Sequence, residues 1–176
     1  MTKKIIAFGA SNSKNSINKK LATYTATLFT HSDIEILDLN DFEMPIYSID
    51  IEKETGIPQL AHDFYTKIGN ADLIIISLAE HNGSYSTAFK NIFDWNSRIN
   101  NKNFQGKDML LLSTSPGPRG GMSVFETAKD RFPRHDANIV GSFTLPSFND
   151  NFSEEEGIKN EELKKELLAV VNSIEL

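Results

Sequence analysis

The chain reads as a doubly wound α/β protein: five parallel strands in the order 2-1-3-4-5, with helices on both faces. Three observations predict this. Five short apolar runs alternate along the chain with segments of helical period, the pattern of a parallel sheet wound by crossover helices. The third run, ADLIIISLA (Ala71–Ala79), is apolar throughout, as expected for a strand covered on both faces. The second, DIEILDL (Asp33–Leu39), alternates strictly and belongs at an edge with one face less buried. Right-handed crossovers leave few other arrangements.

Taken in order, Lys3–Phe8 is a buried strand closed by Gly9. Ile17, Leu21, Tyr24 and Leu28 then recur at helical spacing, which gives a helix from Ser16 to about Thr30. After the second strand, Asn40–Ile57 mixes polarities around Pro45 and Gly56 and reads as a long loop. Pro58 opens a helix to Gly69, proline being suited to a first helical position. Beyond the third strand, Tyr85, Phe89, Ile92, Phe93, Asn96 and Ile99 define a further helical stripe. Asp108–Thr114 is the fourth strand, and Gly121–Phe132 a helix ended by Pro133. Asn138–Leu145 is the fifth strand. Asn160–Ile174 closes the chain as an amphipathic helix, with the acidic run Glu154–Glu156 capping or preceding it.

Composition narrows the function classes. A chain of 176 residues, 39% hydrophobic and 24% charged, suits one domain over residues 1–176 with a sizeable core. The net charge of -6 without a basic cluster disfavours nucleic acid as a partner. No run approaches the ~20 apolar residues of a membrane helix, and the apolar start is too short for a signal peptide, so a cytoplasmic protein without membrane attachment is expected. The absence of cysteine excludes disulfides, thiolate metal sites and a cysteine nucleophile. His31, His62, His81 and His135 are scattered, with no pair at metal-binding spacing.

Ligands of such sheets bind beyond the carboxyl ends of the strands, where the winding direction switches. Here those loops are GASNSKNSIN, AEHNGSYS and STSPGPRGG. In the first, Ser11, Ser13 and Ser16 offer hydroxyl donors, the amides near Ile17 and Asn18 open a helix, and Lys14 adds charge. The spacing is neither GxGxxG nor GxxxxGK[ST], which disfavours dinucleotide and ATP-type phosphate loops. In the second, Asn82 and Gly83 can meet a flat ring; in the third, prolines stiffen and glycines expose main-chain donors. Each loop alone reads equally well as a cap or a tight turn, with Ser16 and Ser84 as helix caps. Their meeting at one rim favours a planar cofactor bearing a phosphate.

The combination of GASNSKNSINKKLA, AEHNGSYSTAFKNIFDWNSR and STSPGPRGG, with LPSFNDNF before the last helix, resembles the NAD(P)H-dependent FMN reductases of the flavodoxin-like fold. That family includes quinone, azo-dye and chromate reductases. The resemblance implies FMN as cofactor and NADPH or NADH as electron donor. It also implies a small-molecule acceptor and a homodimer or homotetramer. Carried over by position, Ser11, Ser13, Ser16, Ile17 and Asn18 hold the phosphate. Glu80, His81, Asn82 and Ser84 contact the flavin from one loop, and Ser115, Gly117, Gly120 and Gly121 from the other. The family pattern has arginine at Ser13, proline at Ala79, and tyrosine at His81 and often at Gly83, so Lys14 is the candidate for the missing phosphate charge.

No protein nucleophile is needed, since in such enzymes the flavin performs the chemistry and the protein binds and orients. His81 is a candidate proton donor, histidine being the side-chain type that changes charge near neutrality, or else a packing residue at the ring edge. Asp94 and Trp95 read as structural. The resemblance places their helix at a subunit interface, consistent with Phe93 and Trp95 exceeding one buried stripe, and makes Tyr47 a candidate to cover the flavin from a neighbouring subunit. Arg98, Arg119 and Arg131 are candidates for an NADPH phosphate. A non-enzymatic flavodoxin-like electron carrier is the alternative function.

Overall fold

The computed structural model describes residues 2–176. Its five main strands are β1 (Lys4–Ala10), β2 (Asp33–Leu37), β3 (Leu73–Leu78), β4 (Asp108–Thr114) and β5 (Asn138–Leu145). All are parallel, in the order β2-β1-β3-β4-β5, the predicted 2-1-3-4-5 arrangement. The longer helices are α1 (Ile17–Thr27), α2 (Ile49–Thr55), α3 (Gln59–Gly69), α4 (Thr87–Ile99) and α5 (Met122–Arg131). A single turn, α6 (Phe148–Asn151), and α7 (Glu161–Asn172) complete the set. No helix among the described residues is long and apolar enough to cross a membrane.

The period-2 geometry of the strands sorts side chains into two cores. Ile6 and Phe8, Ile74 and Ile76, Met109 and Leu111 face the helices α3, α4 and α5. Their neighbours Ile5 and Ala7, Ile75, Leu110 and Leu112 face α1 and α7. β3 is buried at every position, which is why its sequence shows no alternation. At the edge, β2 buries only Leu37, and the Glu35 carboxylate is bridged by Lys4 and Lys67. Charged flanks of this kind blunt an edge strand against further pairing.

Several elements depart from expectation. The segment Asn40–Ile57 is not a plain loop: a 3-10 turn over Leu39–Phe42 follows β2, and then α2. β2 stops at Leu37 because the Asp38 carboxylate accepts the Asn40 amide at 2.9 Å and turns the chain. α2 buries no residue, so no apolar stripe marks it; its signals are local, with Ser48 accepting the Asp50 amide and Gly56 ending it at φ +78°. α1 ends at Thr27 rather than Thr30, and α5 at Arg131, with Pro133 inside a 3-10 turn over Phe132–His135. The acidic run Glu154–Glu156 precedes α7, as expected, but does not cap it. It forms the turn of a short hairpin, Phe152–Ser153 against Gly157–Ile158, and Glu154 pairs with Lys20. Asn160 caps α7, its side chain accepting the Glu162 and Leu163 amides.

Candidate functional site

The ends of β1, β3 and β4 deliver the three predicted loops to one rim. In the first, a Cβ on Gly9 would overlap the Lys19 backbone, so glycine is what lets α1 start hard against the end of β1. Ser16 caps α1, its Oγ accepting the Lys19 amide at 3.1 Å. The Ser11 Oγ accepts the Ser13 amide at 3.1 Å. Both hydroxyls act as acceptors within the loop, which leaves their own protons to be donated outward. The amides of Ile17 and Asn18, in the first turn of α1, have no acceptor among the described residues. Unpaired amides and the helix dipole there favour an anion.

Asn18 also does something its position in the sequence does not announce. Its side chain is 3% exposed. The Oδ1 accepts the Ser77 hydroxyl at 2.7 Å and the Thr114 amide at 3.1 Å, while Nδ2 donates to the Thr114 carbonyl at 3.2 Å. One side chain thus ties α1 to the ends of β3 and β4.

The second loop is a two-residue hairpin, Glu80–His81 against Ser84–Tyr85. Asn82 and Gly83 turn it with φ of +52° and +76°, the paired positive values of a type I′ turn. Ser84 is exposed on this hairpin and does not cap α4. Ser86 does: its Oγ accepts the Phe89 amide at 3.2 Å and donates to the Ala10 carbonyl at 2.8 Å. Half-buried Glu80 reaches across to the first turn of α5, just past the third loop, where its Oε2 accepts the Val124 amide at 3.0 Å. The N-cap of α5 is Gly121, which has no side chain to offer, so Glu80 supplies the missing acceptor from across the rim.

The third loop is tied to β5. Thr114 Oγ1 donates to the Leu145 carbonyl at 2.7 Å, and Ser113 Oγ to the Gly120 carbonyl at 2.7 Å. The Gly117 carbonyl accepts the Ser147 amide at 3.0 Å, and the Ser115 carbonyl the Phe148 amide at 3.1 Å. Gly120 is buried at φ +58°, where a Cβ would stand 3.1 Å from the Leu145 carbonyl.

Between the loops lies a cleft of about 240 Å³. It brings together Ser11, Ser13, Ser16, Ile17 and Asn18 with Glu80, His81 and Ser115. Asn82 and Ser84 stand outside its wall on the exposed hairpin, Gly117 lies farther along the third loop, and Gly120 and Gly121 lie buried behind it. Asn15, Ala79, Thr114 and Pro116 complete the wall. All four sit within the three loop motifs, and nothing local singled them out as contacts.

No lysine or arginine lines the cleft. Lys14, expected to replace the arginine of the family pattern, does not line the cleft but an adjoining open depression with Lys19 and Lys20, which shares Ser16 with it; Lys19 and Lys20 pair with Asp38 and Glu154. The expectations for α4 also change. Trp95 is 0% exposed and donates from Nε1 to the Pro45 carbonyl at 2.8 Å, and Phe93 is buried as well. Both belong to this chain's own core, so they no longer argue for a subunit interface. Tyr47 packs edge-on to Trp95 and donates its hydroxyl to Glu52 at 3.0 Å; burial first, then that carboxylate, holds its phenol above the usual range. Arg98 is engaged by the same Glu52.

The donor set fits the phosphate of FMN. The Ser11, Ser13 and Ser16 hydroxyls and the unpaired Ile17 and Asn18 amides belong to residues lining one cleft, and as donors they match the acceptor oxygens of a phosphate monoester.

Comparison with known proteins agrees. The chain is 27% identical over 157 residues to an uncharacterised protein of Mycoplasma pneumoniae, covering 86% of this chain and 92% of that one. It is 33% identical over 79 residues to a quinone reductase of Escherichia coli, a match covering 45% of this chain and less than half, 42%, of that enzyme. In structure it resembles FerB, a flavoenzyme NAD(P)H:(acceptor) oxidoreductase from Paracoccus denitrificans. The TM-score is 0.76 at 22% identity, over 98% of this chain and 94% of the other, which is a likeness of fold. The sequence pattern described as NADPH-dependent FMN reductase matches residues 3–150. With the first loop, the hairpin and the tied third loop all in the matched region, the chain belongs to the NADPH-dependent FMN reductase family of flavin-dependent oxidoreductases.

Proposed function

We propose that this chain takes a hydride equivalent from NADPH or NADH and passes two electrons to a quinone or similar small acceptor, in a ping-pong cycle over one open face. The observation that supports it most is that the first loop's serines and its unpaired Ile17 and Asn18 amides line one cleft with residues of the other two loops. When bound, FMN supplies the two-electron chemistry. The overall change balances as NAD(P)H plus a proton plus quinone giving NAD(P)⁺ plus quinol.

The protein's own residues then have distinct tasks. Ser11, Ser13, Ser16 and the Ile17 and Asn18 amides hold the phosphate without a fixed cation. Asn18 and Glu80 act through other groups, one locking α1 to β3 and β4 and the other locking the second loop to the third. His81, exposed on the hairpin and lining the cleft, holds a proton beside the position where an acceptor oxygen gains charge. Ser115 and the adjoining Pro116–Gly117 segment bound the opposite side. The name of the Escherichia coli relative, quinone reductase, points to the same acceptor class.

The test is an anaerobic titration of the FMN-loaded protein with NADPH and then NADH, followed at the oxidised flavin band. Rapid bleaching, restored by a quinone, is the expected result and ranks the donors. FMN bound but bleached by neither donor would replace this function with that of an electron carrier. Failure to bind FMN would remove the phosphate cradle. Light scattering on the loaded protein reads whether it assembles as a homodimer or a homotetramer.

A further inference from the structure

The open depression beside the phosphate cleft has a volume of about 520 Å³, and Ser16 lines both. The border between them is a single turn, closed by the Ser16 amide donating to the Ser13 carbonyl at 3.1 Å. Of the two residues at its corner, Asn15 lines the cleft and Lys14 lines the depression. From there the depression follows one face of α1, past Lys20, Thr23 and Tyr24 to Thr27. Phe152 and Glu154 of the short hairpin form its opposite wall. The hairpin is fitted to that wall: Gly157 has φ +73°, and a Cβ there would stand 2.1 Å from the Tyr24 ring, so glycine is what lets the hairpin close on Tyr24. Phe152 meets the same ring edge-on at a centroid distance of 5.7 Å. Tyr24 is held from two sides, yet it stays half-buried and lines the depression.

We infer that this depression takes the adenylate half of FAD, so that the chain binds FAD as well as FMN. The assignment rests on the flavin site given above and deepens it. Charge, ring and position each point the same way. Three lysines and one carboxylate line the depression. Lys19 is paired with Asp38 and Lys20 with Glu154, while Lys14 has no carboxylate within salt-bridge distance among the described residues. An unpaired ammonium suits a phosphate, and a fixed aromatic ring suits a base that stacks on it. In FAD, one oxygen of the FMN phosphate carries a second phosphate and an adenosine. With the first phosphate in the cleft, the second passes Ser16 to Lys14, and the adenine lies farther along α1 at Tyr24. The glycine spacing of dinucleotide loops is not needed, because only the first of the two phosphates sits on the helix N-terminus. The volume is within the roughly 300–1,000 Å³ usual for ligand sites.

The experiment is calorimetric titration of the apoprotein with FMN and, separately, with FAD. Two variants accompany it: Lys14→Ala, which removes the unpaired charge, and Thr23→Glu, which sets a carboxylate on the α1 face where the adenylate lies. The parent is expected to bind FAD no more weakly than FMN. Each variant raises the FAD dissociation constant about tenfold relative to that of FMN. Weaker binding of FAD than of FMN by the parent, or equal losses for the two flavins in either variant, would overturn the assignment. AMP titrated into the FMN-loaded protein separates the two sources of an adenylate. If AMP binds there while FAD binds more weakly than FMN, the depression holds a free nucleotide and the FAD assignment falls. If FMN binds normally and FAD does not, this assignment alone falls. If neither flavin binds, the reductase function falls with it.

Discussion

Replacing Asn18 tests the architecture of the cradle more sharply than replacing any serine in it. Asn18→Ala removes three hydrogen bonds and strands the Ser77 hydroxyl and the Thr114 amide and carbonyl, in residues that are 0% and 1% exposed. At about 1 kcal/mol net per bond the loss is about 3 kcal/mol, rising toward about 5 kcal/mol because the stranded groups stay buried. For a chain of this size that lowers Tm by about 6–12 °C at the smaller figure. Asn18→Asp separates geometry from charge. It keeps both acceptor contacts but sets a carboxylate oxygen against the Thr114 carbonyl unless the carboxyl is protonated and donates to it. The folded-state pKa of the new carboxyl therefore lies above its unfolded value of ~3.9. The folded chain then holds a proton that the unfolded chain has shed, so stability relative to the parent falls as pH rises through that window. Urea unfolding followed by Trp95 emission at about pH 5 and about pH 7.5 reads both effects. An Asn18→Ala chain within about 1 kcal/mol of the parent, or an Asn18→Asp deficit equal at the two pH values, would refute the three-bond tie.

Three further outcomes follow from named contacts. Ser16→Ala loses the cap on the Lys19 amide, about 1 kcal/mol of stability, together with one donor to the phosphate, so the FMN dissociation constant rises about tenfold or more, measured by flavin fluorescence titration. Glu80→Ala uncaps α5 and weakens FMN binding, whereas Glu80→Gln keeps an acceptor for the Val124 amide and restores it; equal losses in both would mean that the charge matters and the cap does not. Glu35 is held below the usual carboxylate range by hydrogen bonds from Lys67 first and then Lys4, against the opposing effect of burial. Its contribution is therefore present above the unfolded value of ~4.3 and lost as pH falls through the lower folded one. Urea midpoints of the parent and Glu35→Gln accordingly differ near neutrality and converge in acid.

What the sequence disclosed and what it hid divide along the range of the interactions. β4 has the bounds read from the sequence, Asp108–Thr114, and β3 lies inside its predicted run, because burial on both faces writes itself into consecutive residues; the edge strand β5 also has its predicted bounds, Asn138–Leu145. α2 was invisible to the same reasoning because it fully buries no residue and packs only Ile51 against the core, and periodicity records only burial. At the rim, the three loops were legible from their serines, glycines and prolines, since turn chemistry is local.

Which of those groups remain free to hold a ligand is a different kind of fact. The hydroxyls of Ser11 and Ser16 have their acceptor side taken by short-range amides and no acceptor for their protons among the described residues. Glu80 is spent on an amide 44 residues away, and the Asn18 side chain on a residue 96 away. Gly120 looks in sequence like a main-chain donor for a flavin, yet its amide is bonded to the Gly117 carbonyl and its Cα lies against the Leu145 carbonyl. A glycine in a binding motif therefore has two physical readings, approach by a ligand or approach by the protein itself, and here the neighbouring strand decides between them. The same division explains the missing arginine. The cradle contains no fixed cation, so affinity for the phosphate depends on donor geometry, and donor geometry depends on the buried tie at Asn18. A substitution there is therefore expected to weaken FMN binding more than neutralising Lys14, which lines the adjoining depression rather than the cleft itself.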